Sequence, residues 1–162
     1  MSTDINLQFI KEKVYDLRTA IFFSTSNSLL KLPVRIVEAL TIDEEGCLWF
    51  YMKKPVQQVS EFDLIFPARL QFYKKGKSSF VEVAGRGTIV DAIGWELKEI
   101  CDTAGISVPS SDDLLVNIKI SNVIYKDLSA RSKAKGIMAW WHDFYNWIFP
   151  ETYTRRPYIP VN

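Results

Sequence analysis

Residues 32–53, LPVRIVEALTIDEEGCLWFYMK, decide the fold class. Leu32 to Thr41 is an extended segment with several β-branched residues, which crowd a helical turn but fit a pleated surface. Asp43-Glu44-Glu45-Gly46 is a turn signal: Asp can bond its own backbone, and Gly tolerates positive φ. Cys47 to Lys53 follows as another extended segment. A connection this short predicts an antiparallel hairpin, since a parallel pair needs a crossover of about a dozen residues or more.

The neighbouring segments repeat the pattern. Ile65 to Lys74, the Gly76-Lys77 turn and Phe80 to Asp91 read as a second hairpin, with Gly85 and Gly87 marking a bulge or a close backbone approach. Upstream, the spacing of Leu7, Ile10, Val14, Leu17 and Ile21 predicts an amphipathic helix capped by Thr3 or Asp4. Ala20 to Ser26 is rich in β-forming residues and stops at Asn27-Ser28. Pro55 predicts the start of a short helix with Val56, Val59 and Phe62 on one side, because its missing amide hydrogen costs nothing in a first turn. A helix around Trp95 to Thr103 comes next, then a half-buried strand in which Val116, Ile118 and Ile120 alternate with Asn117, Lys119 and Ser121. Gly136 to Phe149 reads as a helix, followed by an extended, proline-containing tail. There is no internal repeat, low-complexity linker or nucleotide-loop motif. The expectation is a single domain over residues 1–162, with about six antiparallel strands, flanking helices and an aromatic C-terminal helix and tail from about 136.

Composition narrows the function. Twenty basic and nineteen acidic residues leave a net charge of +1, with the two signs interleaved, so the basic stripe of a nucleic-acid binder is missing. No stretch approaches the ~18 uninterrupted apolar residues of a membrane span, and Met1 to Gln8 lacks the pattern of a signal peptide. A cytoplasmic protein is expected. Cys47 and Cys101 show no metal-ligand spacing and read as buried thiols. The single histidine, His142, rules out a histidine-rich metal site.

Three segments together resemble the FMN-binding split-barrel family: Pro33-Val34-Arg35, Leu48-Trp49-Phe50-Tyr51, and Val81 to Asp91, VEVAGRGTIVD. The last is similar to that family's VxVxGxAxVVxD strand, with Asp91 one place early. The general stress protein branch of these pyridoxamine 5'-phosphate oxidase-like proteins is the nearest in pattern. The resemblance implies an antiparallel six-stranded split β-barrel, FMN as cofactor, and a homodimer whose cofactor sites lie between subunits. It further implies that the second strand and the turn after the third hold the ribityl phosphate. Carried over by position, the implied cofactor contacts are Arg35, Ile36, Val37, Tyr51, Met52, Lys53, Lys54, Gln57, Gln58 and Trp140. Met52, Val56 and Gln58 stand where the family's TxxxSxK stretch has threonine, serine and lysine. Lys53 and Lys54, with helix amides after Pro55, can restore the lost charge and donors.

Each residue also has a plainer reading. Arg35 can face solvent or pair with Glu38 or Glu82, and Lys53-Lys54 is an ordinary strand-end pair. Trp49 reads as core, whereas Tyr51 suits either core or a cofactor wall. Trp140, Trp141, Phe144, Tyr145, Trp147, Ile148 and Phe149 surround most of a helix and would meet either a second subunit or the chain's own barrel. His142 reads as structural or surface, and Arg155-Arg156 as an exposed pair or a substrate-phosphate contact. Two functions remain open: an FMN-dependent oxidoreductase of unknown small-molecule substrate, with no side-chain catalyst, or a split-barrel dimer that has lost FMN and acts as a binding or stress-response module.

Overall fold

A computed structural model describes residues 2–28, 31–58 and 62–129. Helix α1, Ser2–Leu17, leads into strand β1, Thr19–Ser24. Then come β2, Arg35–Ile42; β3, Cys47–Lys53; β4, Ile65–Tyr73; β5, Ser79–Ile89; α2, Gly94–Ala104; and β6, Asp113–Asp127. The fold is mainly β. Every strand pair is antiparallel, and the order β1-β2-β3-β6-β5-β4 closes on itself through β1–β4. Both expected hairpins form, and the ladder between β5 and β6 shifts register between Ala84 and Gly85.

The barrel core follows from alternation. Phe22, Leu48, Phe50, Leu70, Phe72, Val83, Val116 and Ile118 are fully buried and form one cluster, in which the rings of Phe22 and Phe50 lie 5.4 Å apart. From α1, Val14 and Leu17 enter the same cluster, and Leu7 and Ile10 pack against it. Burying each such side chain contributes about 1.5–3 kcal/mol, so this one face of α1 anchors the helix.

A second, smaller core lies on the outside of the wall. Trp49 and Leu115 alternate outward from β3 and β6 and meet Cys101 of α2, with Leu97, Ile100, Tyr51 and Cys47 packed around them. The plain reading of Trp49 as core is therefore met under α2, outside the barrel. Its indole Nε1 donates to Asp43 Oδ2 at 2.9 Å. Cys101 is buried, while Cys47 is only half-buried. Gly105, in the left-handed region at φ 71°, ends α2.

Three local expectations need correction. The helix starts at Ser2, which places Thr3 and Asp4 inside the first turn and not ahead of it. Ile21 belongs to β1, because Arg18 adopts φ 62° and ends α1 one residue after Leu17. Residues 54–58 are irregular chain with a bend at 56–57, so no helical turn begins at Pro55; residues 59–61 lie outside the described residues. The barrel unit ends at Asp127, and residues 128–162 form a second unit, of which Leu128 and Ser129 alone are described. The predicted helix of Gly136 to Phe149, with Trp140 and His142, thus falls outside the described residues, as does Arg155-Arg156.

Candidate functional site

The β2–β3 ladder runs from Ile42↔Leu48 to Ala39↔Phe50 and shifts register between Ala39 and Thr41. Beyond Phe50 the two strands follow different neighbours. Residues 35–38 of β2 stay paired with β1, from Phe22↔Arg35 to Thr19↔Glu38. On the other bank, Tyr51, Met52 and Lys53 stay paired with Leu115, Leu114 and Asp113 of β6. The split opens a groove of about 360 Å³ lined by Arg35, Ile36, Val37, Glu38, Tyr51, Met52, Lys53 and Asp113.

Backbone hydrogen bonds show which groups face that groove. Ala39 N donates to Arg18 O at 2.9 Å, on the β1 side, and Lys54 N donates to Asp112 O at 2.9 Å, on the β6 side. In an antiparallel strand, successive residues direct their amide and carbonyl to opposite neighbours. Ile36 on one bank and Lys53 on the other therefore turn backbone polar groups toward the split, while Glu38 and Tyr51 flank the last ladder pair, Ala39↔Phe50.

Six of the residues implied by the resemblance meet in this groove, with unequal roles. Val37 and Met52 are 5% and 3% exposed and belong to the barrel core, so they floor the groove and have no side chain free for a ligand. Arg35 is exposed at the start of β2, and among the described residues no ion pair involves it. The alternative partners foreseen for it are engaged elsewhere: Glu38 lies 3.8 Å from Arg18, and Glu82 lies 3.5 Å from Arg69. Tyr51 donates its hydroxyl to the Ser107 carbonyl, fixing the ring as a wall, and burial pushes its phenol up.

Lys53 has a partner that the sequence did not suggest. Its ammonium lies 2.8 Å from Asp113 Oδ1, and Ser110 Oγ donates to Asp113 Oδ2 at 2.8 Å. Lys53, followed by Ser110, holds the Asp113 carboxyl below the usual carboxylate range, and Asp113 in turn pushes Lys53 up. Asp113 follows Ser-Ser-Asp and reads locally as a turn acid; only the β3–β6 register puts it opposite Lys53.

The remaining expected contacts lie elsewhere. Lys54 lines an adjacent cavity of about 250 Å³ with Ser110, Ser111 and Gly94, the first residue of α2. Gln57 and Gln58 are exposed and line neither space. Trp140 lies outside the described residues. A larger cleft of about 830 Å³ beside α2 is lined by Asp43, Glu44, Glu45, Glu96 and Glu99 and, among the described residues, by no Lys or Arg, so these side chains disfavour anions there. The groove in the split brings two cations, Arg35 and Lys53, to one space. Among the described residues no group of three or more His, Cys, Asp or Glu could hold a metal ion.

No protein-family model and no curated protein sequence matches the chain. Solved structures do. A general stress family protein from Xanthomonas campestris pv. campestris superposes with a TM-score of 0.54 at 14% identity, covering 78% of this chain and 89% of that one. The general stress FMN/FAD binding protein from Xanthomonas citri gives 0.53 at 14% identity, over 79% and 92% of the two chains. A general stress protein 26 from Jannaschia sp. CCS1 gives 0.51 at 11% identity, over 82% and 83%. Together with the closed six-stranded antiparallel order and the parting of β2 from β3, these superpositions show that the chain has the split-barrel fold of the general stress proteins.

Proposed function

We propose that the groove between β2 and β3 binds flavin mononucleotide and that the protein is an FMN-dependent oxidoreductase acting on a small molecule. The carrying observation is that Arg35, Tyr51 and Lys53, on two different strands, line one groove where the ladder between those strands ends. Its volume falls within the range of about 300–1,000 Å³ usual for small-molecule sites. Arg35, with its planar, permanently charged donors, and Lys53 on the opposite bank would hold the phosphate, and Ile36 and Tyr51 would offer apolar and aromatic surface to the ring system. The backbone groups of Ile36 and Lys53 would supply donors and acceptors for ring heteroatoms. When bound, the flavin supplies hydride or electron transfer. A fold neighbour that is an FMN/FAD binding protein supports this reading. A second copy of the chain, covering the open side of the groove, belongs to the same proposal.

One observation favours a second reading, a barrel that binds ligands without flavin chemistry. The groove's lysine is already ion-paired, and Met52, Val56 and Gln58 provide no charged phosphate ligand. A visible absorbance spectrum of the purified protein and a titration with FMN separate the two. A charge-assisted hydrogen bond contributes about 1.5–3 kcal/mol, so Arg35→Ala should weaken FMN binding roughly 10- to 100-fold. Lack of flavin absorbance together with no saturable binding would remove the flavin reading.

A further inference from the structure

We infer that Asp113 is the specificity-determining residue of the groove, restraining its preference for phosphorylated over unphosphorylated flavin. This rests on the flavin reading above and adds to it a residue from β6. Among the described residues, the groove's lining holds two cations, Arg35 and Lys53, and two anions, Glu38 and Asp113. Asp113 is the fixed member of its pair: its side chain is 19% exposed against 72% for Lys53, and Ser110 ties down the carboxylate oxygen that Lys53 leaves free. A phosphate held between Arg35 and Lys53 therefore meets, at the Lys53 ammonium, a tethered negative charge that lies 2.8 Å from that ammonium, well inside a Debye length of about 8 Å. A phosphate carries between one and a half and two negative charges at neutral pH, roughly, whereas the ring and the ribityl chain of riboflavin carry none. Asp113 acts on the first ligand and leaves the second almost untouched.

The experiment measures dissociation constants for FMN and for riboflavin with the wild type, Asp113→Asn and Lys53→Gln. Asparagine keeps the size of the side chain and an acceptor for Ser110. The ratio of riboflavin to FMN dissociation constants should rise roughly three- to tenfold in Asp113→Asn, and the rise should shrink as salt is added. In Lys53→Gln the ratio should fall below that of the wild type, because Asp113 is then uncompensated. A purely structural role for Asp113 would change both ligands' affinities in parallel. An unchanged or reduced ratio in Asp113→Asn, with wild-type FMN binding saturable, overturns the inference and leaves the flavin site standing. Failure of the wild type to bind either flavin overturns both.

Discussion

Replacing Gly85 with alanine tests the barrel at its tightest point. An added Cβ would sit 2.0 Å from the Lys119 carbonyl oxygen and 3.1 Å from Ile118 Cγ2. Real Cβ atoms essentially never come closer than 3.0 Å to such an atom, so β6 must move by about 1 Å or more. The contact is with backbone, and no rotamer change relieves it. Such a shift strains the ladder where Gly85 faces Ile120 and Arg86 faces Lys119. Losing one or two backbone hydrogen bonds at about 1 kcal/mol each, with an overpacking cost of about 1–3 kcal/mol, gives a destabilisation of about 2–5 kcal/mol. That is a large share of the roughly 5–15 kcal/mol that holds a domain folded. Urea unfolding followed by circular dichroism should show the midpoint lowered by roughly 1–2 M with little change in slope. Gly87→Ala is the internal comparison: the atoms it meets first belong to the Phe66 ring, at 2.5 Å, and not to backbone, so the ladder is spared and its cost should be smaller. A Gly85→Ala protein within about 0.5 kcal/mol of the wild type would refute the claim that β5 and β6 depend on a missing side chain here.

Asp43→Ala should cost about 2–4 kcal/mol, because Oδ1 accepts from Glu45 N and Cys47 N and Oδ2 accepts from the Trp49 indole; thermal unfolding would record it, and an unchanged melting temperature would contradict it. Alkaline pH should destabilise the fold through Tyr51 and Tyr73, whose phenols burial pushes up. For a raised pKa, the stabilising contribution is whole below the unfolded phenol's value of about 10 and is lost as pH climbs through the folded value. Tyr51→Phe should accordingly flatten the fall of the urea midpoint above that pH, and a slope identical to the wild type's would exclude Tyr51 as a cause.

The sequence disclosed those elements whose local preferences agree with their surroundings. Cys47–Lys53 matches its expected bounds, since a run of strand-forming residues follows a turn closed by Gly46, at φ 77°. β6 was legible only from Val116 to Ser121, yet it extends to Asp127. Its second half is largely exposed and owes its extension to pairing with β5, which no alternation within the segment reveals. Pro55 misled because a residue preorganised for a helix start is equally at home in the irregular chain that leaves a strand. In the site, Arg35 and Lys53 were legible as cations on adjacent strands. Glu38 was foreseen only as a partner for Arg35, and Asp113, some 60 residues beyond Lys53 in the chain, becomes a neighbour through register alone. The role of α2 as a cover for Trp49 and Leu115 was hidden for the same reason.

The groove's position follows from competing commitments of the two strands that border it. β2 is tied to β1 by four register pairs and by the bond from Ala39 N to Arg18 O, at a point where the left-handed Arg18 has just turned the chain. β3 is tied to β6 by seven pairs, and Tyr51 is packed on its outer face against the cluster under α2. The register shift between Ala39 and Thr41 bends β2, and past that point it cannot keep both neighbours. Beyond the Ala39↔Phe50 pair, Ile36 and Lys53 face the gap with no register pair across it, and buried backbone groups there call for water or a ligand as partner. Each bank is held from behind by its own ladder. A cleft formed this way keeps its shape without a ligand, and its charges are set by whichever side chains register brings to the rim, which is how β6 reaches a site otherwise built from β2 and β3.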